Sequence, residues 1–199
     1  MSTSDAEKWN ARYREGSHLR AEPVRVLKEY SHLLPASGTA LDLACGTGAN
    51  ALFLAQHGLE TWAWDISREA IEQLQRSAAR LDFKLHTEVR DVVRQPPDAD
   101  AFDVVVVSHF LDRDLMPPVL RALRQNGLLY YQTFTKERVD DSGPGNEAYR
   151  LGKNELLELC RGLHIVMYRE EGRLGDIRRG FRNEAMLIAQ RLILPAKRW

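Results

Sequence analysis

Leu41-Asp42-Leu43-Ala44-Cys45-Gly46-Thr47-Gly48-Ala49 is the stretch on which the reading of this chain turns. An apolar run (Ala40, Leu41, Leu43, Ala44) ends at two glycines, and a helix-compatible run from Ala49 to Ala55 follows at once. Strand, glycine turn and helix form the frame in which a nucleotide-like ligand sits outside the carboxyl end of a parallel strand. Glycines let the backbone approach such a ligand, because no side chain intervenes. Asp65 stands 17 residues beyond Gly48, at the end of the next apolar run. An acid near that offset can hold both hydroxyls of a ribose. Together these features point to a bound nucleoside.

Outward from the turn, apolar runs alternate with helical patterns. Thr39–Cys45 reads as the first strand, and Asn50–His57 as a helix stopped by Gly58. Glu60–Asp65 reads as the second strand; Ser67 caps a helix over Arg68–Arg80, with Ile71, Leu74 and Ala78 on one face. Lys84–Val89 alternates as a third strand, and Phe102–Ser108, with four consecutive valines, reads as a buried parallel strand. Pro117–Arg124 reads as a helix with prolines in its first turn, and Leu128–Phe134 as a fifth strand entered through Asn126-Gly127. Asn154 is placed to cap a helix over Glu155–Arg161, and Ile165–Arg169 and Ala185–Arg191 complete the strands. Such alternation predicts an α/β fold with a mostly parallel sheet.

At 199 residues a single domain, 1–199, is expected: a helical leader over 1–35 and a Rossmann-like core over 36–199. The charges balance, 28 basic against 28 acidic, so the chain as a whole carries no nucleic-acid signature, although its last third is rich in arginine. Cys45 and Cys160 are the only cysteines and fall in unrelated elements, which predicts free thiols and a cytoplasmic setting. Met1 to Gly16 has no apolar centre of a signal peptide, and no run approaches the ~18 apolar residues of a membrane span. The six histidines lack metal-ligand spacing, so no metal site is expected.

Asp42 decides between nucleoside ligands. A pyrophosphate-binding turn avoids a carboxylate so near its site, whereas a ligand with a cationic amino-acid end tolerates one. Asp42-x-x-x-Gly46-x-Gly48 with Asp65 resembles the first two motifs of the class I S-adenosylmethionine-dependent methyltransferases. Trp9-x-x-x-Tyr13 resembles the leader of the tellurite-resistance-type and thiopurine-type small-molecule branch. The resemblance implies a doubly wound sheet of seven strands, the last antiparallel, beneath an N-terminal helical lid. It implies that backbone groups around Ala44, Gly46 and Gly48 meet the methionine end, with Asp42 steering the turn. Asp65 would take the ribose and Ile66 the adenine face; Asp91 and the Val92 amide would take the adenine edge. Ser108 and His109 would border the sulfonium and the acceptor. Tyr13 and His109 are the candidate catalytic residues; Arg113 and Asp114 could cap or pair locally, and Arg113 could also meet an anionic acceptor. The third glycine of a dehydrogenase turn is Ala51 here, and the Asn-Pro-Pro-Tyr signature for nucleobase and glutamine acceptors is absent.

Methyl transfer from a sulfonium needs alignment of two reactants more than a catalytic triad. The leading expectation is transfer to a small molecule by a monomer or homodimer, without nucleic-acid or membrane partners. One alternative is an RNA or protein methyltransferase using the arginines of the last third (Arg161, Arg169, Arg173, Arg178, Arg179, Arg182). Another is a non-catalytic module that binds S-adenosylmethionine, which a pocket plugged by Tyr13, Phe110 or Tyr149 would favour.

Overall fold

The computed structural model describes residues 3–16, 22–81, 83 and 85–192; Lys84 and His18, weighed in the sequence, lie outside them. Helices α1 (Thr3–Arg14) and α2 (Arg25–Glu29) precede strand β1 (Thr39–Leu43). Then follow α3 (Ala49–Gln56), β2 (Glu60–Asp65), α4 (Arg68–Ala78), β3 (Leu85–Val89), β4 (Phe102–Ser108) and α5 (Met116–Ala122). The chain closes with β5 (Leu123–Phe134), α6 (Glu155–Leu159), β6 (His164–Glu170) and β7 (Glu184–Gln190).

Seven strands form one sheet in the order β3-β2-β1-β4-β5-β7-β6. β1 to β5 pair in parallel, and β7 runs antiparallel to both β5 and β6. The doubly wound sheet with its last strand reversed is therefore present. Strand order reverses between β1 and β4, which opens a crevice at their carboxyl ends.

The alternation of side chains along a strand divides the core. Val104 and Val106 of β4 face one side with Tyr130, Ile188, Leu54 and Val26. Val105 and Val107 face the other with Leu43, Tyr131, Met116, Val119 and Leu156. All four valines are buried, as a strand covered on both faces requires. A third cluster, with Ala63, Ile71 and Leu74, fixes α4 beside β2.

Local signals fare unevenly. Ser67 caps α4 through its hydroxyl, Gly58 takes φ 87° beyond α3, and prolines occupy the first turn of α5. Two expectations are corrected. The helix expected to reach Arg124 ends at Ala122, because Leu123 already pairs with Phe102; Asn126, at φ 64°, lies within β5 as an irregularity and not before it. Asn154 occupies the N-cap of α6 but makes no side-chain cap; the Glu155 carboxylate takes the Gly152 amide at 2.6 Å instead.

Candidate functional site

The glycine turn leaves β1 through three left-handed residues, Ala44 (φ 56°), Gly46 (φ 55°) and Gly48 (φ 79°). Glycine is needed at the last two on space as well as on φ. A Cβ on Gly48 would run into Leu74 of α4, and one on Gly46 would come within 2.7 Å of the Tyr13 hydroxyl.

Two buried carboxylates hold this turn. Asp42, fully buried in β1, accepts from the Ala51 amide at 3.0 Å and from Asn50 Nδ2 at 3.3 Å. Burial raises its pKa from 3.8 to about 7, against the pull of those donors. Asp65, at the end of β2, accepts from the Gly46 amide and the Ser67 amide, both at 2.8 Å. Burial raises its pKa too, while the backbone donors oppose the shift. The Gly46 amide is thus committed to Asp65, so Gly46, buried beneath Tyr13, offers a ligand no free donor. Each Asp65 oxygen keeps a second lone pair after its backbone bond.

Asn50 was not singled out in the sequence, yet it ties the crevice together. Its Nδ2 donates to Asp42 and, at 2.9 Å, to Ser108 Oγ; its Oδ1 accepts from the Val24 amide at 2.9 Å. The turn, the end of β4 and the approach to α2 are joined through one buried amide. The available signal was a polar residue inside the otherwise apolar helix Ala49–Ala55.

At the end of β3, Asp91 Oδ1 accepts from the Val93 amide at 3.1 Å, and Arg94 lies 3.6 Å from the other oxygen. The side chain of Val92 is buried in the core beside Trp64 and Phe102. Ile66 is half-buried next to Asp65.

His109 follows β4 with φ 52°, a left-handed conformation that few side chains adopt without support. Its amide donates to Gln132 O at 2.9 Å, its Nε2 lies 3.0 Å from Glu184 Oε1, and its ring packs 4.9 Å from Phe134. Gln132 donates to Glu184 Oε2 and accepts from the Val26 amide at 2.9 Å. Glu184 and Gln132 escaped the sequence reading because their partners lie far along the chain.

The segment after β5 is built round Arg150, whose residue is 1% exposed. Its guanidinium donates to the carbonyls of Pro144, Thr135 and Ser142 and lies 5.6 Å from the Phe134 ring centre. Arg113 is not open to an anionic acceptor: both its Nε and its Nη2 donate to Glu155, which raises its pKa and lowers that of Glu155. Three of the late arginines are likewise engaged. Arg182 donates to the carbonyls of Glu171, Gly172, Leu174, Asp176 and Arg179, Arg178 pairs with Asp176, and Arg169 pairs with Glu171. They shape their own loop, which takes weight from the RNA alternative. Cys45 and Cys160 are both buried free thiols. Among the described residues no His, Cys, Asp and Glu cluster suited to a metal is found, and no helix is long and apolar enough to cross a membrane.

α1 lies over the turn. Asn10 Oδ1 accepts from Ser67 Oγ at 2.7 Å and from the Glu69 amide at 3.1 Å, and Gln73 donates to the Tyr13 carbonyl. Tyr13 is buried with its hydroxyl at Gly46, and Trp9 packs 6.0 Å from it. The leader thus docks on the first turn of α4, beside Asp65, and closes the space above the glycines.

The family profile described as "Methyltransferase domain" matches residues 40–127, from β1 into β5. The chain is 24% identical over 135 residues to the probable S-adenosyl-L-methionine-dependent methyltransferase TehB of Haemophilus influenzae, covering 65% of this chain and 47% of that protein. It is 27% identical over 121 residues to the putative methyltransferase YqeM of Bacillus subtilis, covering 56% and 48%. The chain thus spans about half the length of the curated relatives it matches. The crystal structure of TehB from Haemophilus influenzae superposes with a TM-score of 0.69 over 92% of this chain and 66% of that one, at 19% identity.

Proposed function

We propose that the chain, which resembles the methyltransferase domain over residues 40–127, is a class I S-adenosylmethionine-dependent methyltransferase that transfers a methyl group to a small-molecule acceptor by in-line displacement. The observation that carries this reading is the pair of buried carboxylates, Asp42 and Asp65, flanking a glycine turn at the point where strand order reverses. Carboxyl groups there, in whatever fraction they are ionised, disfavour a pyrophosphate and tolerate a ligand with a cationic amino-acid end. The residues present fit such a ligand. The space over Gly46 is one that a Cβ would fill, and it is taken up by the Tyr13 hydroxyl of a helix docked through a few polar contacts.

In this proposal Asp65 uses its remaining lone pairs for the ribose hydroxyls, and Ile66 covers the adenine. Asp91 and the Val92 amide read the adenine edge, and the backbone at Ala44 and Gly48, beside Gly46, faces the methionine end. Ser108 lines the floor. The bound ligand supplies the methyl carbon and its sulfonium leaving group. The chain binds, aligns and excludes water, which for this chemistry supplies most of the acceleration. α1 is the lid, and Tyr13 leaves Gly46 when the ligand enters.

Tyr13 over Gly46 also favours a second reading, a binding module that takes S-adenosylmethionine and catalyses nothing. One experiment tests the first reading against it. Purified protein is incubated with methyl-tritiated S-adenosylmethionine and a fractionated cell extract. Label that appears, only when the protein is present, in a low-mass compound other than S-adenosylmethionine supports a small-molecule methyltransferase; label transferred only to RNA or protein, or not transferred at all, overturns it.

A further inference from the structure

His109 presents a part-buried ring with one nitrogen paired and one not. Nε2 stands 3.0 Å from Glu184 Oε1, while Nδ1 is buried with no hydrogen-bond partner among the described residues. A buried polar atom without a partner is costly, and natural structures keep few of them. Glu184 and Gln132 are both partnered. Glu184 Oε2 accepts from Gln132 Nε2 at 2.5 Å, and Gln132 Oε1 accepts from the Val26 amide at 2.9 Å. That last bond orients the Gln132 amide, because Oε1 must face the Val26 N–H and Nε2 must therefore face Glu184. An ionised carboxylate only accepts, so Glu184 takes a proton from Gln132 and another from His109. His109 Nε2 then carries the proton, and in the neutral ring Nδ1 is a bare lone pair. The left-handed backbone of His109 and the Phe134 ring 4.9 Å away hold the imidazole at the carboxyl end of β4, next to Ser108 and hence to the crevice.

We infer that Glu184 and Gln132 are positioning residues that fix His109 as a base with its proton-accepting Nδ1 toward the methyl acceptor, and that the acceptor is therefore a protic hydroxyl or amine. The inference rests on the methyl-transfer reading and names its substrate class. An acceptor X–H gives its proton to Nδ1, and the freed X lone pair forms the bond to the transferred methyl carbon. The sulfur–carbon electron pair stays on sulfur as a neutral thioether, and His109 leaves the step as an imidazolium against the Glu184 carboxylate. A thiolate or a metalloid oxyanion is already a nucleophile and has no use for this base. α2, through Val26, and the segment ordered by Arg150, through Phe134, pack around the network, so the acceptor reaches Nδ1 when that cover shifts.

The test has two arms. In the first, the 15N-histidine spectrum of the full chain is compared with those of Glu184→Gln and His109→Asn, the latter assigning the His109 signals. The inference expects an Nε2–H tautomer with a bare Nδ1 in the parent protein, and loss of that preference in Glu184→Gln. A proton on Nδ1, or a tautomer indifferent to Glu184→Gln in a protein that still melts cooperatively, overturns it. The second arm offers methyl-labelled S-adenosylmethionine with phenol, catechol, benzylamine, thiophenol and selenite. Turnover of a hydroxyl or amine is expected, with kcat falling on the order of a hundredfold in His109→Asn and Glu184→Gln while KM stays within about twofold. Turnover confined to thiophenol or selenite, or a protic acceptor methylated equally well by His109→Asn, overturns the base. If no acceptor on this panel reacts, the tautomer decides. Failure to bind S-adenosylmethionine would sink the methyl-transfer reading and leave the tautomer result standing, so the two failures are distinguishable.

Discussion

The Tyr13 hydroxyl lies 2.7 Å from the point where a Cβ on Gly46 would stand, so the leader helix is docked in the space a ligand on the glycine turn would use. Binding and docking compete for one volume. A ligand that binds only the open form sees its apparent affinity and on-rate reduced by the open fraction. Tyr13→Ala weakens docking and is expected to raise the association rate of S-adenosylhomocysteine, on the order of tenfold if the open form is about a tenth of the population. Stopped-flow fluorescence measures it, and an unchanged rate would remove Tyr13 from the lid.

Gly46→Ala acts on the same contact from below. Alanine at φ 55° is strained, and its methyl pushes into Tyr13. A loss of about 1–3 kcal/mol in stability is expected. Hydrogen exchange should show that α1 loses protection first, while β1 and β4 keep theirs. Equal loss throughout would mean that the turn, and not the leader, bears the strain.

How far the site could be read from the chain depends on where its partners lie. β1, β2 and β4 are plain in Thr39–Leu43, Glu60–Asp65 and Phe102–Ser108, because apolar runs between turn signals need no distant information. The acids Asp42 and Asp65 are legible for the same reason, since each sits at a fixed offset from the glycines. The start of β5 was not legible: Leu123 and Arg124 continue a helical pattern and Asn126-Gly127 reads as a turn, and only pairing with Phe102 makes Leu123 a strand residue. Gln132 and Glu184 were missed because their bonds reach Val26 and His109, far along the chain; Asn50 showed only as a polar residue in an apolar helix, and the bond of Arg150 to the nearby Pro144 belongs to no recognisable motif. Arg113 was read as a possible anion contact because Glu155, 42 residues on, could not be seen beside it.

Burial of Asp42 sets a pH dependence with a definite sign. Its folded pKa, about 7, is above 3.8, so the folded protein holds this proton after the unfolded chain has lost it. Stability from this group is full below about pH 4, falls as pH rises, and levels off above about pH 7. The raised pKa of Asp65 acts in the same direction. Urea unfolding at pH 5, 6, 7 and 8 should show this decline in the parent protein and a shallower one in Asp42→Asn. A slope unaffected by that substitution would mean that Asp42 is ionised throughout.

Arg150 makes a separate prediction. It is buried, and its donors hold three carbonyls: Thr135 O, at the end of β5, and Ser142 O and Pro144 O in the segment that follows. Arg150→Ala leaves those carbonyls unpaired and is expected to cost about 2–4 kcal/mol. Amides from Lys136 to Asn146 should exchange faster while those of β4 stay protected. Uniform loss of protection would show that Arg150 supports the core and not the segment.

The central claim is that the turn between β1 and α3 holds S-adenosylmethionine through Asp65. The most direct measurement is calorimetric titration of S-adenosylmethionine, S-adenosylhomocysteine and NAD into the purified chain and into Asp65→Ala. The account predicts micromolar binding of the first two and none of NAD, with affinity lowered at least about tenfold in Asp65→Ala by the loss of charge-assisted bonds to the ribose. Binding of neither sulfur nucleoside, or equal binding by a folded Asp65→Ala, would contradict it.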